Sequence, residues 1–195
     1  EDLSPRRIVI ASSTHPGEEE LLMEAFRQLK VDWPDLMLAI APRHISRVRE
    51  VERIVKRKGM AVKRRSSAAV CDGIADVIIL DTMGELSLFY SACEIAVVGG
   101  SFVPVGGHNF VEAVVADLPV IMGPHLDNVK ELLMEFIRED AIIVVPNLDK
   151  LTETLRLLLA DAHLRSSMVN RARAIFARNE GALDSVEELV LEQLR

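Results

Sequence analysis

The chain has 195 residues, 49% of them hydrophobic and 27% charged, enough apolar mass to bury a core and too much for global disorder. Its net charge of −7 argues against a nucleic-acid partner that needs a basic surface. Aromatics make up only 4%, and a core built from Val, Ile, Leu and Ala suits a buried parallel sheet better than a β-sandwich.

A first strand is expected over Arg7–Ser12. A helix follows over Gly17–Lys30, with Thr14 as its cap, Pro16 near the first turn, and Glu18, Glu19 and Glu20 at the favourable end of its dipole. Trp33-Pro34-Asp35 turns into a strand at Leu36–Ala41. Ile45–Lys58 reads as a helix closed by Gly59. Short strands follow at Met60–Arg64 and Asp76–Leu80, flanking a Cys71-Asp72-Gly73 turn. Next come a short helix over Gly84–Ala92, a strand over Glu94–Val98, a central helix over His108–Ala116 and a strand over Pro119–Met122. Asp127–Arg138 is a helix and Ala141–Val145 a last strand; from Leu148 onward the pattern is helical in two or three pieces. Strands alternating with helices make βαβ units, hence an α/β fold with a doubly wound, Rossmann-like parallel sheet. Leu183, Val186, Val190 and Leu194 form an apolar stripe at helical spacing. It packs either on this domain's own sheet or on a second domain absent here.

Two basic clusters, Lys56 to Lys58 and Lys63 to Arg65, read as solvated surface, the second alternatively as facing an anion. Cys71 and Cys93 lie in no CxxC or zinc spacing and read as reduced thiols of a cytosolic protein. No signal peptide or apolar run of membrane-spanning length is visible. The chain opens on Glu1 rather than Met, as an excised domain would.

Ligands of open α/β sheets bind at the carboxyl ends of strands, near the point where strand order reverses. The polar residues at those ends are Ser12 to His15, Pro42 to His44, Asp81 to Glu85, and Gly99 to Glu112. In the Gly106-Gly107-His108-Asn109 turn, two glycines permit close backbone approach and expose N–H groups. The helix opening there attracts a phosphate. Asn109 and Glu112 are three apart and share a face. A carboxylate beside a phosphate would repel it, so Glu112 is better used on ribose hydroxyls about one nucleoside length away. The plainer alternative is a structural turn with a solvated glutamate. Met83-Gly84-Glu85 opens a helix straight after a strand, with Met83 placed to lie against a base or simply in the core. Arg43 follows a strand and either pairs with a phosphate or carboxylate or is a surface charge. His15, His44, His108 and His125 sit on strand-end loops without zinc-ligand spacing, so no metal is assigned. His15 or His44 could donate to an anion. The chain lacks a P-loop, a GxGxxG after the first strand and a GxSxG elbow, which counts against an NTPase, an NAD enzyme and a serine hydrolase.

Ser13-Thr14-His15, Gly17-Glu18-Glu19, Ala41-Pro42-Arg43-His44, Arg64-Arg65-Ser66, Asp81 to Leu86, and Val97 to Asn109 continuing to Gly123-Pro124-His125 stand in order along nearly the whole chain. Together they resemble the C-terminal half of the bacterial Kdo transferases. These are glycosyltransferases of the two-Rossmann-domain (GT-B) type that move 3-deoxy-manno-octulosonic acid (Kdo) from its CMP donor to lipid A precursors. The string VGGSFVPVGGHN followed by Glu112 and LPVIMGPH is the most specific part. The chain departs from the family's usual pattern at Phe110-Val111, where Pro-Leu is common, and at Asp117, where Gly is common.

The resemblance implies that Pro42, Arg43, Met83, Gly84, Glu85, Asn109, Phe110, Val111 and Glu112 contact CMP, with Arg43 a phosphate stabiliser, and that no metal or cofactor is needed. It implies inverting transfer through an oxocarbenium-like state, with the acidic general base outside this chain, on an N-terminal domain that also carries the acceptor site and the membrane-facing surface. Residues 1–180 then form the donor-binding domain, and 181–195 a helix placed to pack on the N-terminal domain. The fragment is expected to be soluble and the full-length enzyme to work at the cytoplasmic face of the bacterial inner membrane. Alternatives are another GT-B enzyme or a sugar-nucleotide epimerase, a non-catalytic nucleotide-binding module, and an interaction domain.

Overall fold

The computed structural model describes residues 6–67 and 75–193, with side chains described up to residue 178. The Cys71-Asp72-Gly73 turn lies outside the described residues, and the stripe from Leu183 to Leu194 outside the described side chains. Seven parallel strands form one sheet: β1 (Ile8–Thr14), β2 (Met37–Pro42), β3 (Val62–Arg64), β4 (Val77–Ile79), β5 (Ile95–Val98), β6 (Val120–Met122) and β7 (Ile142–Val144), in the order β3-β4-β2-β1-β5-β6-β7. The helices are α1 (Glu18–Asp32), α2 (Val48–Arg57), α3 (Leu86–Tyr90), α4 (Val111–Val115), α5 (Lys130–Arg138), α6 (Leu148–Ala160) and α7 (Ala162–Gln193).

The inner strands are buried on both faces, as their unbroken apolar runs require, whereas the edge strands β3 (Val62-Lys63-Arg64) and β7 are partly exposed. Alternate side chains divide between two cores. Val9, Ala11, Leu38, Ile40, Val77, Ile79, Ile95, Val97 and Ile121 face α1, α2 and α6 through Met23, Phe26, Val51 and Leu155. Ile10, Ala39, Ile78, Ala96, Val98, Val120 and Met122 face the other layer through Tyr90, Phe110, Phe136 and Ile175. The strand order reverses between β1 and β5, each of which neighbours the other. The crevice above their carboxyl ends is therefore the place where a ligand is expected.

Three helix starts differ from expectation. β1 runs on to Thr14 through an irregularity at Ser13 (φ 55°), so Thr14 lies in the strand and Gly17 occupies the N-cap of α1 without a side-chain cap. Ile45–Arg47 is a 3-10 turn, and α2 begins at Val48. The central helix opens at Val111, not His108, and has five residues. Its expected first turn is drawn away because Gly107 and His108 donate their N–H groups back to Gly100 and Gly99. The C-terminal helix α7 is continuous through residue 181.

Candidate functional site

The loop after β1 is fastened to the loop after β5 by a carboxylate. Glu18 is 1% exposed. It accepts the N–H groups of His15 at 2.9 Å, Gly100 at 2.8 Å and Phe102 at 2.9 Å. Beside it, Glu19 is fully buried and takes Thr14 Oγ1–H at 2.8 Å and the Arg47 guanidinium at 2.6 Å. Neither role was visible in the run Glu18-Glu19-Glu20, which reads as a helix-dipole signal. The only clue was a charged pair directly after a strand and glycine.

The β5 loop is folded on itself. Ser101 Oγ donates to the Val98 carbonyl at 2.5 Å and accepts Gly123 N–H at 2.8 Å, joining the ends of β5 and β6. Gly106 and Gly107 both have positive φ, as the tight turn demands. Part of the amide cradle expected of the turn is taken up within the protein. Gly107 N–H goes to Gly100 at 2.7 Å, His108 N–H to Gly99 at 3.2 Å, and Val111 N–H to Asn109 Oδ1 at 3.0 Å. An anion arriving here also meets side chains.

Those side chains are histidines. His15 Nε2 and His108 Nε2 are 2.6 Å apart. The ring planes differ by 11° and the centroids are separated by 4.9 Å. That separation matches the nitrogen gap plus the two ring radii, so the imidazoles meet edge to edge in one plane rather than face to face. His44 stands edge-on to His15 at 6.1 Å. Gly100 makes room for the pair: at its φ of 66°, an added Cβ would lie 2.7 Å from His108 Cδ2. Burial lowers the His108 pKa, and His15, Arg43 and His44 lower it further. Read singly, each histidine is an ordinary loop residue; what unites them is that each lies in the loop leaving the carboxyl end of β1, β2 or β5.

The remaining predicted residues are dispersed around this edge. Pro42 is buried at the end of β2, and Arg43 is exposed, donating its N–H to the Thr14 carbonyl at 3.0 Å. Met83 is 87% exposed, a free platform at the mouth of α3. Glu85 is committed to Thr82 Oγ1 and to Arg65 at 3.3 Å. Asp81 accepts both the N–H and the hydroxyl of Ser66; burial works to raise its carboxyl, but these hydrogen bonds hold it below its ordinary value. Phe110 is wholly buried against Phe136, with ring centroids 5.2 Å apart, so it has only its backbone to offer a ligand. Glu112 is exposed on α4, which packs on α3, the helix that follows the Met83–Glu85 loop. The Tyr90 phenol beneath is pushed up to about 12, by burial first and then by Glu112 and Cys93. Burial alone pushes the Cys93 thiol up to about 12, so it is inert.

A cleft of about 720 Å³ opens beside the glycine turn, between Gly107, His108 and Asn109 and the residues Asp127 to Leu132 leading into α5. Of the predicted site residues, Asn109 lines it; the others do not. The basic clusters do not gather there. Lys56 and Arg64 pair with Glu52, Lys58 pairs with Glu24, and Arg65 pairs with Glu85. Among the described residues, no group of His, Cys, Asp or Glu is arranged to hold a metal ion, and no helix is long and apolar enough to cross a membrane.

Residues 18–175 match the family of glycosyl transferases group 1. The chain is 34% identical to the 3-deoxy-D-manno-octulosonic acid transferase of Haemophilus influenzae, over 95% of its own length and 44% of that protein. It is equally similar, at 34%, to that of Bordetella pertussis, over 94% of its own length and 45% of that protein. It thus spans less than half the length of these relatives. Its fold superposes on the C-terminal CMP-Kdo binding domain of WaaA from Acinetobacter baumannii with a TM-score of 0.82 and 30% identity, covering 89% of this chain and 90% of that one.

Proposed function

As the chain belongs to group 1 of the glycosyl transferases and, within it, to the Kdo transferases, we propose that it holds the CMP-Kdo donor for inverting transfer of Kdo to a lipid A precursor. The observation that carries this reading is the likeness, over 89% of this chain, to a domain named for CMP-Kdo binding.

Met83 offers its exposed side chain to the cytosine, and Glu112 accepts hydrogen bonds from the ribose. Asn109 and the backbone of Phe110 and Val111 complete the nucleoside site, with Gly84 and Glu85 shaping its opposite wall and Pro42 setting the direction of Arg43. Arg43 faces the phosphate, where it stabilises charge developing on departing CMP. The acceptor hydroxyl is deprotonated by a general base on an N-terminal domain, which also binds the acceptor and meets the cytoplasmic face of the inner membrane. Residues 181–195 serve the contact with that domain. By this division of labour, the chain by itself turns over CMP-Kdo at a negligible rate.

Calorimetric titration with CMP, with UDP as control, tests the reading. CMP-selective binding is expected, and Glu112→Ala is expected to weaken it by about tenfold or more, the loss of a charged acceptor. CMP binding unchanged by Glu112→Ala would overturn the ribose assignment. Equal affinity for UDP would favour another sugar-nucleotide enzyme.

A further inference from the structure

Four side chains able to carry positive charge converge above the β1–β5 crevice: His15, His108, His44 and Arg43. The charges acting on His108 are those of His15, Arg43 and His44. The nearby carboxylate of Glu18 is turned behind the loop and occupied by three amides. Glu19, next to it, is occupied by Arg47 and Thr14. Asp127 and Glu131 line the cleft that His108 also lines, with Lys130 between them, but among the described residues no carboxylate pairs with the cluster.

The edge-to-edge contact fixes how many protons it can take. In the neutral pair, one Nε2–H donates to the Nε2 lone pair of the other ring. A further proton can enter only at an outward Nδ1, leaving one imidazolium bridged to one imidazole. Two imidazolium rings would set N–H against N–H across 2.6 Å, which both sterics and charge forbid. The pair therefore carries one positive charge at most. An anion settling against it favours that charged form.

We propose that His15 and His108, flanked by His44 and Arg43, are the binding site for the anionic anomeric end of the sugar nucleotide, and that the anion enters together with one proton. This rests on the sugar-nucleotide reading above and deepens it. The anion is the phosphodiester or the carboxylate that a 2-keto acid sugar bears on the same carbon. Once the pair has gained its proton, its N–H groups are held within the sheet's own crevice, next to the glycosidic oxygen that leaves with CMP. The departing phosphate gains negative charge just where a cation has been assembled.

The test uses cytidine 5′-methyl phosphate, a diester whose own charge is constant around neutral pH, with cytidine as the uncharged control. Titration calorimetry in buffers of different ionisation enthalpy counts protons taken up on binding. The diester is expected to bring in a measurable fraction of a proton, never more than one, and cytidine none. His108→Gln is expected to abolish the uptake and weaken the diester by about tenfold while leaving cytidine affinity unchanged. A CMP-activated sialic acid, which adds the carboxylate, distinguishes the sources: equal uptake with both ligands assigns the phosphate, and uptake with the acid alone assigns the carboxylate. Binding of both ligands without proton uptake overturns the proposal, as does an uptake that His108→Gln leaves intact. Should that variant not fold, the proton count on the unaltered chain decides alone. Failure of cytidine itself to bind refutes the donor reading and this inference with it; cytidine binding with no proton-linked binding of either the diester or the acid refutes only the inference.

Discussion

Glu18 shows how much of the site rests on one carboxylate. Three backbone N–H groups from two different loops end on its two oxygens. Glutamine has the same shape but turns a donor toward at least one of those amides. Glu18→Gln is therefore expected to cost about 2 kcal/mol or more, read as a lower urea midpoint with unchanged slope. A variant as stable as the parent would mean that the loops hold each other without it. This role was hidden in the sequence because a glutamate at a helix start has a sufficient local explanation in the dipole. Arg43, Met83 and Glu112 stood out as candidates for the opposite reason: each is polar or exposed directly beyond a strand or at a helix opening, where packing gives it nothing to do. Phe110 was singled out only for its place in the turn, and the fold alone shows its ring turned into the core toward Phe136.

At the scale of elements, every strand could be read to within a residue or two, the inner ones because a run that is apolar on both faces has few other uses. Helix starts were read less well. Here they are set by tertiary partners rather than local caps: α1 begins at a left-handed Gly17 behind Glu18, and α4 begins only where the β5 loop has finished bonding to itself. The joint between α1 and the turn before α2 is an ion pair whose acidic member is wholly buried. Removing only the cation leaves an uncompensated buried carboxylate. Arg47→Met is thus expected to destabilise by about 3 kcal/mol or more, seen as a fall in the thermal midpoint of roughly 6–12 °C for a domain of this size. A fall under a degree or two would show that Glu19 is held mainly by Thr14.

The whole molecule responds to acid through several carboxyls at once. Hydrogen bonds from Arg7 hold Glu94 below its ordinary 4.5; burial opposes this, and the charges of Arg7 and Arg165 add to the lowering. Burial tends to raise Asp76, but Lys30 and the Ala61 N–H bring it below 3.8. The unfolded chain therefore binds protons at these groups before the folded one does, so their stabilisation is complete above the ordinary values and is lost as pH falls through the lowered ones. His108 acts in the same direction at higher pH: its folded pKa lies below 6.5, so stability already begins to fall as pH drops through that value. Urea midpoints are expected to decline gently below about pH 6.5 and steeply below about pH 4.5. A midpoint level down to about pH 3 would contradict the assignment.

The strand order also has a consequence in time. β1 is made first, and β2 follows on one side, but its other neighbour, β5, ends at Val98. At translation rates of ~5–20 residues per second, the open side of β1 waits on the order of ten seconds for its partner. During synthesis, Val9 to Ser12, later the registered partners of Ile95 to Val98, are an apolar edge with its backbone groups unmatched. That is the kind of segment that recruits another chain. The ribosome must therefore deliver β2, β3 and β4 before the future ligand crevice, the gap between β1 and β5, can close, with β6 and β7 still to be added beyond it.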